Sequence, residues 1–251
     1  MTGDDEGAGV GRPALAGLRR LTPARVRLDP AGGPAPLAAV LDFQRSHAAA
    51  RDAIRAPVDW DRVEAVLAPL PVLRVASRAG DRDAYLRRPD LGRRVAAADL
   101  ALLPAGPCDL AIVIADGLSA FAVEAHAAPV ARGLAAALPG LRLGPVTLAR
   151  QGRVAIGDEI AAALGARLAL VLIGERPGLS VADSLGAYLT HAPRVGTPDS
   201  ARNCVSNIHG KGGLDHDRAV YLIAWLAAEA LRRGITGIAL KDDRAPQLPE
   251  G

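Results

Sequence analysis

LALVLIG (168–174) is an unbroken apolar run, followed at once by the polar, Gly-containing stretch GERPGL (174–179). A short run without alternation suits a strand buried on both faces, as in parallel sheets covered by helices. LAIVI (110–114) has the same character between Asp109 and Ala115-Asp116-Gly117. VTLAR (146–150) is a further strand, PVLRVAS (71–77) alternates and reads as another, and AYLTHA (187–192) is one more candidate. Helical segments separate them. PVARGLAAAL (129–138) reads as opened by Pro129, and GDEIAAALG (157–165) has acids in its first turn and Gly165 at its end. DRAVYLIAWLAAEALRRG (217–234) is amphipathic and closes on basic residues and Gly234. Strands alternating with helices from about residue 108 onward predict a three-layer, Rossmann-like α/β domain with a mainly parallel sheet.

The first part of the chain reads differently. From Leu37 the pattern is helical, with Leu37, Val40, Leu41, Ala48 and Ile54 on one face and Pro57 as the stop. DWDRVEAVLAPL (59–70) is a second helix, capped by Asp59, with Val63, Val66 and Leu67 inward. RRPDLGRRVAAADLALL (87–103) reads as one helix with Pro89 near its first position. TPDSAR (197–202) reads as a short helix capped by Thr197. The expected organisation is a flexible N-terminal segment (1–36), a helical region (37–105), an α/β domain (106–243) and a tail (244–251). No internal repeat is present.

Composition excludes several classes. Of 251 residues, 50% are hydrophobic and 23% charged, a globular balance with ample apolar mass for a core. Aromatics are only 3%, so Ala, Leu and Val do the packing, and a base-stacking platform is not expected. The net charge of +3 is a small surplus and only weak evidence for a nucleic-acid partner, and none is expected. No apolar stretch reaches the roughly 18 residues of a membrane span, and the acidic, Gly-rich start lacks a signal-peptide layout. A cytoplasmic protein is expected. Two cysteines, Cys108 and Cys204, are too few for a disulfide scaffold or a four-cysteine zinc site.

Ligands of open α/β sheets bind beyond the carboxyl ends of the strands. ADGLSA (115–120), RQGRVAIGDE (150–159) and GERPGLSVADSLG (174–186) fall at such ends, and parallel strands place all three along one edge. ARNCVSNIHG (201–210) precedes the last helix. Each has a plain structural reading beside a functional one. Asp116-Gly117 is a helix-capping turn or part of a site. Glu175 beside Arg176 is an ion pair or a ligand contact. Cys204 is a small packed residue or a nucleophile with His209. Arg87, Arg88, Arg93 and Arg94 are a solvated face or a docking surface. G-x-G-x-x-G, Walker A and H-E-x-x-H are absent, as are paired carboxylates and a triad. The residues alone give a binding subunit whose reactive centre is a cofactor or lies on another chain.

DFQRSHAAARDAI (42–54), YLRRPDLGRR (85–94), IADGLSA (114–120), GRVAIGDEI (152–160), LIGERPGLSVADSLGAYLT (172–190) and DSARNCVSNI (199–208) together resemble the small (light) subunit of ethanolamine ammonia-lyase, in order, over about residues 20 to 240. The resemblance implies an adenosylcobalamin-dependent enzyme that converts ethanolamine to acetaldehyde and ammonia. It implies a TIM-barrel large subunit as partner, in an assembly of six copies of each chain, with the small subunit closing over the corrinoid at their interface. Carried over residue by residue, the cobalamin contacts are Val154 of GRV, Glu175 of GERPG and Cys204 of RNCVSN. Arg153, Arg176, Ser206 and Asn207 are their neighbours. The D-x-H-x-x-G pattern of base-displaced cobalamin binding is absent, so a base-on cofactor is implied. No clear microcompartment-targeting helix is visible, which leaves free cytoplasm and a shell-bounded compartment both open. The rival readings are a free-standing corrinoid- or nucleotide-binding adaptor and a hydrolase built on Cys204.

Overall fold

The computed structural model describes residues 37–243. Helix α1 (Leu37–Arg55) and α2 (Trp60–Leu67) lead into strand β1 (Val72–Ala76). Then come α3 (Arg82–Arg87), a 3-10 turn (Leu91–Arg93), α4 (Ala97–Leu100) and β2 (Cys108–Ala115). Helix α5 opens as Ala120–Ala122, widens into a π turn at Val123–Ala127 and continues as Ala128–Ala137. After it follow β3 (Val146–Arg150), α6 (Ile156–Ala163), β4 (Ala166–Gly174), β5 (Leu185–His191), β6 (Arg202–Ile208) and α7 (His216–Arg233). The six strands form one sheet in the order β1-β3-β2-β4-β5-β6. The first four are mutually parallel; β5 and β6 are antiparallel additions. This is the expected α/β architecture.

The two central runs behave as their sequences dictate. Every residue of β2 is buried, and β4 is buried from Leu168 onward. Leu110, Ile112 and Ile114 face one layer with α2, α5 and α7, while Ala111, Val113 and Ala115 face the other with Ile156, Ile160 and Leu164 of α6. Alternate residues thus feed two cores, so neither face tolerates polarity. The strand β1, from the region expected to be helical, adds to the sheet beside β3.

Four local expectations are corrected. The stretch 87–103 is not one helix. Val95 pairs with Ser77 in an isolated bridge, its N–H donates to Glu159, and Asp99 accepts from the N–H of Ala76 at 2.6 Å. These distant partners outcompete the local helical pattern. Pro129 does not open its helix. The start is ten residues earlier at Ser119, whose Oγ accepts from the Ala122 N–H, and Pro129 sits just past the π turn. A proline lacks the N–H that an α turn needs, and a widened turn ahead of it accommodates the ring. TPDSAR is only a 3-10 turn at Asp199–Ala201, and RNCVSNI after it is a strand. Along the first helices, Leu37, Leu41 and Val66 are exposed, while Ala50, Ala53, Val63 and Leu67 are buried.

Candidate functional site

The carboxyl ends of β2, β3 and β4 share one edge, as their parallel pairing requires. Three polar networks build the site there. The first fixes the loop between β3 and α6. Asp116, at the end of β2, accepts from the N–H groups of Gln151 at 2.8 Å and Gly152 at 2.9 Å. Tyr85 is fully buried, and its hydroxyl donates to the Gly152 carbonyl while Arg82 and Arg153 lie against its ring. The Arg153 N–H donates to Gly92. Tyr85 and Gly92 belong to YLRRPDLGRR, so that block holds the backbone next to Val154. Val154 itself is half-buried and packs against the α6 core. Burial pushes Asp116 up to about 6, against the pull of these N–H groups and of Arg82. Gly117 turns the chain sharply behind it, with φ +57°. A Cβ there would strike the carbonyl oxygen of Gly174, so only glycine fits.

The second network clamps α6. Both acids of its first turn are committed. Glu159 takes a bidentate pair from Arg94, and Asp158 takes one from Arg202 at 2.6 and 2.7 Å. Arg202 is buried and also donates to Thr190 Oγ1 and the Thr197 carbonyl. It opens β6 and so anchors the strand that carries Cys204. The third network surrounds Glu175, just past β4. Its Oε2 accepts from Ser184 Oγ at 2.6 Å and from the Asn207 N–H at 3.2 Å, and its Oε1 accepts from Ser206 Oγ at 2.6 Å. The Glu175 N–H donates to the Ser184 carbonyl. Glu175 therefore spans β4, β5 and β6. Of the two readings of Glu175, the ion pair with Arg176 is not formed: Glu175 is held by hydroxyls and an N–H, and Arg176 is exposed.

Cys204 pairs with Tyr188 across β5 and β6. The residue is exposed, yet desolvation of its sulfur raises the thiol above its ordinary value; a hydrogen bond with Tyr188 opposes this only in part. A thiol held in its neutral form is a poor nucleophile. The His209 ring accepts from the Lys211 N–H, and nothing pairs it with Cys204. This disfavours the hydrolase reading. Tyr188 and Val154 pack against the same core layer, so Val154, Tyr188 and Cys204 belong to the α6 side of the sheet. The sequence singles out the 174–186 segment that holds Ser184 and Gly186 but not these residues individually, and it does not point to Tyr188. Glu175 and Ser184 lie nine residues apart across a loop, a spacing that carries no periodic signal.

Fold and geometry together define an α/β domain with anchored polar side chains clustered beyond the carboxyl ends of its parallel strands. Among the described residues no group of three or more His, Cys, Asp or Glu could hold a metal ion, and no helix is long and apolar enough to cross a membrane. The profile of the ethanolamine ammonia-lyase light chain matches residues 12–241. A protein of Bradyrhizobium diazoefficiens named ethanolamine ammonia-lyase small subunit is 53% identical over 246 residues, 95% of this chain and 94% of that one. Proteins of the same name from Xanthomonas campestris pv. campestris and Azotobacter vinelandii are 51% and 50% identical, over 92% and 90% of this chain and 89% and 87% of theirs. The chain belongs to the ethanolamine ammonia-lyase light-chain family.

Proposed function

We propose that this chain is the small subunit of an adenosylcobalamin-dependent ethanolamine ammonia-lyase, which converts ethanolamine to acetaldehyde and ammonia. It closes over the cofactor at the interface with a catalytic large subunit, in an assembly of six copies of each. It acts in the cytoplasm, free or within a microcompartment, and has little activity alone. Family membership supports the reaction. The observation that carries the cofactor reading is that Glu175 and Cys204 lie beside Tyr188, which packs on the same core layer as Val154, each on a separately anchored segment.

The residues fit the group. A corrin periphery presents primary amides and methyl groups. Glu175 offers an acceptor, Ser206 a hydroxyl, and Val154 and the neutral Cys204 thiol offer apolar, polarisable contact. Gly186 leaves the space beside the Glu175 carboxylate open. When bound, adenosylcobalamin supplies radical chemistry through its cobalt–carbon bond. The chain's own part is to bind and orient the corrin edge and to exclude water from it. Substrate contacts belong to the large subunit.

The test is co-expression with the large subunit, followed by affinity purification and assay of acetaldehyde. The expected result is a stoichiometric complex that releases acetaldehyde only with both chains and adenosylcobalamin present. A chain that stays alone, or a complex that retains no corrinoid, overturns the proposal and leaves the adaptor reading.

A further inference from the structure

We infer that Ser184, Ser206 and the left-handed Asn207 are positioning residues that aim the Glu175 carboxylate at the ligand, and that they leave it one acceptor direction, on Oε1. This rests on the proposed contact between Glu175 and the corrin edge. An ionised carboxylate has about four acceptor sites. Three are filled: Oε2 takes the Ser184 hydroxyl and the Asn207 N–H, and Oε1 takes the Ser206 hydroxyl. The vacant direction is therefore on Oε1, the oxygen bound by the exposed Ser206 rather than the buried Ser184.

The backbone is bent to make this possible. Asn207 has φ +59°, a conformation few residues other than glycine and asparagine adopt readily. The register between β5 and β6 shifts between Leu185 and Ala187, which carries the Asn207 N–H to Glu175 instead of along the ladder. Gly186 lies inside that irregularity. A Cβ there would sit 3.0 Å from Glu175 Oε1 and 3.2 Å from its Cγ, so the missing side chain keeps Oε1 in place and reachable. Two hydroxyls, one twisted residue and one glycine thus converge on a single carboxylate and fix the direction of its free Oε1 site.

The test uses the co-expressed complex and cyanocobalamin, an unreactive corrin, with retention measured by equilibrium dialysis and visible absorption. Ser206→Ala is expected to weaken retention roughly tenfold, because Oε1 is no longer held toward the corrin, with only a small drop in melting temperature because Ser206 is exposed. Ser206→Thr, which keeps the hydroxyl on a strand, is expected to restore it. Gly186→Ala is expected to weaken retention from the opposite side by displacing Oε1. Glu175→Gln separates the two ideas. If Glu175→Gln retains cyanocobalamin like the native complex, the Glu175 contact itself is wrong. If Glu175→Gln is impaired while Ser206→Ala is normal, or if Ser206→Thr fails to rescue, the positioning role is overturned.

Discussion

Arg202→Met should be among the most damaging single changes in the described chain. The Arg202 side chain is 2% exposed and that of Asp158 is 1% exposed, and the pair is bidentate at 2.6 Å. Thr190 Oγ1 and the Thr197 carbonyl accept from the same guanidinium. Methionine fills much of the volume but leaves the Asp158 carboxylate buried without its counter-charge. Removing one partner of such a pair costs about 4 kcal/mol. In a chain of this size that lowers the melting temperature by roughly 12 °C. The double variant Arg202→Met, Asp158→Leu removes both charges and should recover most of the loss, because buried pairs replaced by apolar side chains are often near neutral. Differential scanning calorimetry of the purified chain reads both. A single-variant loss below about 3 °C, or a double variant no better than the single, would refute the reasoning. The pair also joins the first turn of α6 to the first residue of β6, so the single variant should loosen the strand that carries Cys204.

Asp116 should make stability rise on mild acidification. Its folded value of about 6 lies above the ordinary 3.8, so between these the folded chain holds a proton that the unfolded chain has released. The gain from pH 7 to pH 4 is roughly 2 kcal/mol for this group. Asp116→Asn should abolish it, and parallel pH–stability curves for native and variant would contradict that. His126 should act in the opposite sense. Burial, and then His216, depress it; Asp183 opposes this in part and His209 adds a smaller push in the same direction. Stability is therefore complete above the ordinary histidine range and is lost as pH falls below it. Chemical denaturation of His126→Gln at pH 7.5 and pH 5.5 checks this, with a smaller acid loss expected than in the native chain. Ser119→Ala removes a helix cap and a donor to the Ala182 carbonyl at a fully buried site, and should cost about 2 kcal/mol by urea denaturation. Cys204 should alkylate with iodoacetamide more slowly than a free thiol at pH 7.5, since its thiol is pushed up, and Cys108 should react only on unfolding. Fast labelling of Cys204 would revive the nucleophile reading.

The central strands were legible because burial on both faces demands unbroken apolar runs, as in LAIVI and LALVLIG. Helix α7 was legible for the matching reason: Asp215 caps it, Gly234 takes the left-handed conformation at its end, and its apolar stripe has helical spacing. Strand β6 was not. It is an edge strand, and its burial alternates irregularly, with Cys204, Ser206 and Asn207 all exposed, so RNCVSNI shows no clean apolar period. The break-up of 87–103 was hidden for another reason, since Glu159, which fixes Arg94 and Val95, lies over sixty residues away. Val154, Glu175 and Cys204 came from family resemblance, and spacing alone left Glu175 open between an ion pair with Arg176 and a ligand contact. Its real partners, Ser184, Ser206 and Asn207, become neighbours only through the antiparallel pairing of β4, β5 and β6.

The most direct measurement is a structure of the co-expressed two-subunit complex with cyanocobalamin bound. The account predicts a corrin edge whose amide donates to Glu175 Oε1, with Val154 and Cys204 in van der Waals contact. A corrin that touches only the large subunit, or that meets this chain away from the Glu175 edge, would contradict it.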